Sequence, residues 1–186
     1  MIDKNKLCIG DYALTSAMHP FALAERAKIA GWRHTFDRKI ATHAAIVYSI
    51  DGSEDPACLF LAEMVIPRIR RASFEEYELN GWFAGGKIIM IRRNPLYASP
   101  DTRKRLNDRI RYDIERGVEY DEKGLLEYMW PKIEDRPDEF YCSEYLRHQA
   151  QLDGGDIIHP KWRKEDDIPP YGVQTATNCE TTWSKF

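Results

Sequence analysis

Three side chains in this sequence carry the chemistry of covalent acyl transfer: a cysteine, a histidine and a carboxylate. Cys142 lies in the run Phe140-Tyr141-Cys142-Ser143-Glu144-Tyr145, just after the helix-breaking stretch Asp135-Arg136-Pro137-Asp138. The pattern predicts a helix over 139–151, which puts the thiol near its start. A helix N-terminus and a neighbouring imidazole both favour the thiolate, the form that attacks carbonyl carbon. The competing reading is a small core residue, because free cysteine is among the most buried residue types. Cys8, Cys58 and Cys179 keep that core reading, since none of them shares the helix-start setting.

His43 opens the apolar run Thr42-His43-Ala44-Ala45-Ile46-Val47-Tyr48-Ser49-Ile50 and is the candidate general base. A lone histidine in such a strand is otherwise a satisfied core residue. Glu63 sits within Leu59-Phe60-Leu61-Ala62-Glu63-Met64-Val65, where an unpaired charge would be costly to bury. It is the candidate acid that orients the imidazole through its second ring nitrogen. Its alternative is a place on the solvent side of an edge strand. His148 follows Cys142 by six residues and so falls on a different helix face. His19, His34 and His159 have no cysteine or carboxylate at ligand spacing, so neither a metal nor a cofactor is expected.

These residues need elements to position them. Gly10-Asp11 reads as a turn before a strand ending near Ser16. Residues 20–30 are alanine-rich and helical, and Gly31 closes them. Thr42–Ile50 and Cys58–Ile66 read as a strand pair joined through Asp51-Gly52-Ser53, with Pro67 as the stop. A helical turn over 75–80, a strand over 87–92 and a helix over 101–116 follow. Leu106, Ile110 and Ile114 share one face of that last helix, and Gly117 ends it. A short helix is expected over Leu125–Trp130. Residues 159–186, rich in proline, threonine and charge, read as an extended arm on a catalytic domain of residues 1–158.

With 186 residues the chain is long enough for one real core. Its 43% hydrophobic and 31% charged content is ordinary for a globular protein, and a net charge of -3 gives no electrostatic case for binding nucleic acid. No segment approaches the roughly 20 apolar residues that span a bilayer. The first residues lack the pattern of a secretory signal, so a cytoplasmic location is expected. The basic residues of the 101–116 helix are interleaved with Asp108, Asp113 and Glu115, which reads as a solvated face. Arg68, Arg70, Arg71, Arg92 and Arg93 are candidates to flank the groove and select an anionic group.

Taken in order, Gly10-Asp11-Tyr12-Ala13-Leu14, Thr42-His43 before an apolar strand, Ala62-Glu63, Gly117-Val118-Glu119-Tyr120-Asp121 and Tyr141-Cys142-Ser143-Glu144 form a series. The series resembles the permuted NlpC-type papain-like hydrolases, the YiiX-like group related to lecithin retinol acyltransferases. In that branch the histidine strand precedes the cysteine helix, as here. The resemblance spans residues 8–152 and implies an α+β fold with an antiparallel sheet packed on the cysteine helix.

It further implies Cys142 as nucleophile, His43 as base and Glu63 as the third member. Asp11 would support the site, Tyr120 and Asp121 would be a structural or substrate-lining element, and Tyr141 would border the oxyanion position. The implied activity is hydrolysis of an amide, peptide or peptidoglycan-like, through a thioester. The alternatives are acyl transfer from a lipid by the same triad and an inactive binding module. Two departures stand out. Met64-Val65-Ile66-Pro67 replaces the small pair common after the acid, and the long insert from Met18 to Ile40 is an expected lid or substrate-selecting wall.

Overall fold

A computed structural model of the chain describes residues 2–18, 20–79, 86–121, 141–158 and 169–186. Its framework is a sheet of six strands, β1 (Asp11–Ser16), β2 (His43–Ser49), β3 (Leu59–Val65), β4 (Arg68–Ala72), β5 (Lys87–Arg93) and β6 (Glu180–Ser184). All neighbours are antiparallel, in the order β4-β3-β2-β1-β5-β6. β1 is buried at every residue and β2 at all but its first. Strands covered on both faces read as unbroken apolar runs, which is how Ala44 to Tyr48 appears in the sequence.

The helices are α1 (Pro20–Ala30), α2 (Phe74–Leu79), α3 (Pro100–Arg116), α4 (Cys142–Leu152) and α5 (Pro170–Gln174). α4 packs against β2 and β3, and α3 against β2 and β4. The mixture of helices and an antiparallel sheet is the α+β class expected. Among the described residues, no helix is long and apolar enough to cross a membrane.

The Gly10-Asp11 pair is a fold element. Gly10 has φ of +93°, and a Cβ there would lie 2.7 Å from the Tyr97 ring, so both conformation and space require glycine. Asp11 accepts from the Cys8 backbone N–H at 2.9 Å and takes both the Nε and an Nη of Arg93 at 2.7 Å. This fork ties the start of β1 to β5 and to the N-terminal segment.

α3 is lashed to the far end of β2 by one side chain. Buried Asn107 accepts from the Ser49 N–H at 2.7 Å and donates to the Ser49 carbonyl at 3.1 Å. Asn107→Ala leaves both backbone groups without these partners, so it is expected to cost roughly 2–3 kcal/mol of stability, measured by urea unfolding. A loss under about 0.5 kcal/mol would show that water replaces the amide at no cost.

Two elements differ from expectation. Arg68–Ala72 is a strand, although three arginines in five residues hide its alternation; only Ile69 and Ala72 are buried. The C-terminal segment, expected as an extended arm, forms α5 and then β6, which pairs with β5 from Met90↔Ser184 to Arg93↔Glu180. Its Thr-Thr-Trp run suits an edge strand. Gln174 of α5 also accepts from the Ala41 N–H at 2.8 Å, so this segment braces the entry to β2. The expected helix over Leu125–Trp130 lies outside the described residues.

Candidate active site

His43 begins β2, and Glu63 lies on β3, where it pairs with Ala45. Two residues along a strand return to the same face, so His43 and Glu63 are diagonal cross-strand neighbours on one side of the sheet. The His43 Nε2 lies 2.9 Å from the Glu63 Oε2. Glu63 is 1% exposed, whereas the His43 side chain keeps 19% of its surface open. With Nε2 committed to the carboxylate, Nδ1 is the nitrogen left to exchange a proton with a thiol.

That thiol is Cys142. It is the first residue of α4, whose N-cap is Tyr141, and the Glu144 carboxylate accepts from the Tyr141 N–H at 3.3 Å. This contact is one half of a capping box, and it explains the Tyr-Cys-Ser-Glu spacing. α4 crosses β2 and β3 so that the Cys142 side chain is a hydrogen-bonding and electrostatic partner of the His43 ring. Burial by itself pulls the imidazole pKa down. The Cys142 charge and hydrogen bond, followed by those of Glu63, more than reverse this and raise it.

Glu63 is likewise set by opposed causes. Burial favours its neutral form, but the hydrogen bond and charge of His43, the Tyr77 hydroxyl and the Arg70 guanidinium hold the carboxyl down at about 2. Tyr77, buried on α2, donates its hydroxyl proton to Oε2, and Arg70 places an Nη 2.6 Å from Oε1. Arg70 stands directly opposite Glu63 in the β3–β4 register, which makes this a cross-strand charge pair.

The other expected site residues fall in different places. Tyr141 adjoins the thiol and is buried. Asp11 does not reach the site: His43 is level with Thr15, and Asp11 is four residues further along β1, roughly 13 Å at strand spacing. Tyr120 packs on the core and Asp121 is fully buried, in a segment pinned to the β4 end of the sheet by Tyr120 N–H to the Pro67 carbonyl and Ile69 N–H to the Val118 carbonyl. Of the arginines expected to select anions, Arg92 donates to the Ala176 and Cys179 carbonyls and Arg93 to Asp11. Arg70 serves Glu63, and Arg71 lies over the Phe60 ring. On α3, Lys104 pairs with Asp108 and Arg103 with Glu54, while Arg105 and Arg109 share the buried Asp153. His148 has Asp113 and Arg109 as its charged neighbours.

Three members of this site escape sequence reasoning in the roles they hold: Tyr77, Arg70 and Glu25. Glu25 is 5% exposed on α1, and its charge acts on both Cys142 and His43. Nothing in the spacing of Ile69 and Ala72, three residues apart, marks the strand that carries Arg70. Nothing local marks Tyr77 or Glu25 as facing residues from distant elements.

No family model matches the chain, and no curated protein does. Among solved structures it is similar to metalloprotein yiiX from Escherichia coli O157:H7, with a TM-score of 0.64 and 13% identity over 97% of this chain and 99% of that one. By its name, that protein is a metalloprotein. Among the described residues here, no three His, Cys, Asp or Glu side chains gather into a set able to hold a metal ion. At that identity the likeness concerns fold alone: this chain shares the α+β architecture of yiiX over essentially its whole length.

Proposed function

We propose that the protein is a cysteine hydrolase that cleaves an amide bond with the triad Cys142, His43 and Glu63. The observation that carries this reading is a thiol at a helix start facing an imidazole whose other nitrogen is held 2.9 Å from a buried carboxylate. The Cys142 proton passes to His43, and the thiolate attacks the substrate carbonyl carbon. The oxyanion is met by first-turn backbone N–H groups of α4, which have no intrahelical acceptor. The His43 imidazolium protonates the leaving nitrogen as the C–N bond breaks, leaving a thioester on Cys142. Water, losing a proton to His43, then attacks the thioester and releases the acid. Glu63 keeps its charge throughout and stabilises the imidazolium. An acceptor other than water at the last step would turn the same thioester to acyl transfer.

The other thiols supply internal controls. Burial pushes Cys179 up to about 11, burial also raises Cys8, and the hydrogen bond to Asp51 raises Cys58. At pH 7 iodoacetamide is therefore expected to label Cys142 at least about tenfold faster than any of the three, read by mass spectrometry of the digested chain. Equal labelling of all four cysteines would leave only a binding module on this fold. Hydrolysis is then assayed by release of the amine from peptide and isopeptide amides, and acyl transfer by a chain moved from lipid to acceptor.

A further inference from the structure

The turn between α1 and β2 is rooted from behind by Arg26. This fully buried guanidinium donates to the Ser16 hydroxyl and the Ala17 carbonyl at the end of β1, and to the carbonyls of Thr35 and Ile40 at 3.4 Å. Thr35 and Ile40 are buried, so the turn is fixed at both points. Its own backbone closes it further: His34 N–H donates to the Gly31 carbonyl and Asp37 N–H to the His34 carbonyl, each at 2.9 Å.

What this fixed turn presents to solvent is aromatic and basic. Trp32 is 83% exposed and Phe36 71%, the two most open aromatic side chains of the described residues. Arg33, His34, Arg38 and Lys39 are exposed beside them. The one carboxylate of residues 31–40, Asp37, is half-buried and serves the turn itself: it accepts from the Lys39 N–H at 2.9 Å and lies 3.9 Å from the His34 Nδ1. Among the described residues neither Arg33 nor Lys39 pairs with a carboxylate. Lys39 instead places its Nζ 5.5 Å over the ring of Phe186, itself an exposed aromatic.

We propose that residues 31–40 are a peripheral docking site for an anionic lipid bilayer. Trp32 and Phe36 enter the headgroup region, and Arg33, Arg38 and Lys39 meet the lipid phosphates. Two rings offer roughly 300–400 Å² of apolar surface, whereas a standard protein interface takes about 800 Å² from each partner. A bilayer sets no such area. It accepts tryptophan and phenylalanine at the headgroup level while long cationic side chains reach the anionic groups. The charge is local, because the chain as a whole carries -3 and would be repelled by an anionic surface. Arg26 ties the turn to Ser16 and Ala17, and the Thr42 N–H donates to the Thr15 carbonyl at 2.9 Å, one residue before His43. Docking through the turn therefore fastens the His43 end of the sheet to the membrane surface. This surface is independent of the hydrolase reading and goes beyond it.

The test is cosedimentation of the full chain with vesicles of phosphatidylcholine mixed with phosphatidylglycerol, against vesicles of phosphatidylcholine alone. Partition into the mixed vesicles is expected to be at least about tenfold stronger, and to fall between about 0.1 M and about 0.5 M salt as screening lengthens its reach. Trp32→Ala combined with Phe36→Ala loses roughly tenfold or more in partition. Arg33→Gln combined with Lys39→Gln loses roughly 10- to 30-fold on mixed vesicles and little on neutral ones. Circular dichroism establishes that both variants are folded, as exposed positions allow. Absence of pelleting with mixed vesicles overturns the proposal, as does equal pelleting with both kinds or a folded aromatic variant that pellets like the wild type. A concentration-dependent dimer in lipid-free solution that the aromatic variant abolishes would assign the patch to a second copy of the chain and also overturn it. Failure of the hydrolase reading is seen elsewhere, in Cys142 labelling, which both variants leave at the wild-type rate.

Discussion

His43→Ala is expected to slow turnover by on the order of 10³-fold or more and to slow alkylation of Cys142 at pH 7 by about 100-fold. Both effects follow from one pair of contacts. The thiol and the ring are mutual hydrogen-bond and charge partners, and their coupling raises the His43 pKa despite burial. In the wild type the imidazolium therefore persists through neutral pH as the charge partner of the thiol. Removing the ring removes the proton acceptor, the compensating charge and the acid that protonates the leaving nitrogen.

The pH dependence separates this from a packing defect. The variant's alkylation rate should climb with pH as an unassisted thiol's does, and more steeply than that of the wild type. Cys8, Cys58 and Cys179 report on the fold in the same digest, because their rates depend on burial and on Asp51. A His43→Ala protein that labels Cys142 at the wild-type rate would sink the triad.

Much of this site was legible because its members sit on elements with plain local patterns. His43 and Glu63 belong to apolar strands joined by the loop of residues 50–58. Strand parity puts both on one face once the pairing is known, and the register Ala45↔Glu63 supplies it. Cys142 was marked by the break before it and the glutamate two residues on. What stayed hidden depends on long-range placement. Asp11 shares a strand pair with His43 yet lies at its other end, and no motif order encodes that distance. Arg70, read as a groove residue, is consumed by Glu63 through a strand whose arginines mask its alternation. Glu25 looks in sequence like any surface helix residue, and only the Arg26 anchor turns it inward. The tail's β6 was obscured because an edge strand, polar on four of its five residues, has little period to read.

Glu63→Gln should lower both activity and stability, with a stability loss that depends on pH in a particular direction. Glu63 is 1% exposed and gathers His43, Tyr77 and Arg70. Its carboxyl, held down at about 2 by these partners against the pull of burial, titrates near about 4.3 in the unfolded chain. A folded value below the unfolded one means the unfolded chain takes up the proton first as pH falls. The stabilisation is therefore complete above about 4.3 and is lost as pH drops through about 2. At neutral pH it is worth about 3 kcal/mol, and at pH 3 roughly half of it is already gone. Urea midpoints of wild type and Glu63→Gln should accordingly differ most near pH 7 and draw together toward pH 3. Two curves offset by a constant amount over that range would mean that shape and packing, not charge, explain the loss. Activity answers a separate question. The glutamine still fits between His43 and Tyr77 but offers no charge to the imidazolium, so turnover should fall by roughly 10- to 100-fold while Cys142 still labels faster than the other cysteines. Loss of labelling to the level of His43→Ala would mean that Glu63 holds the ring in place as well as stabilising its charge.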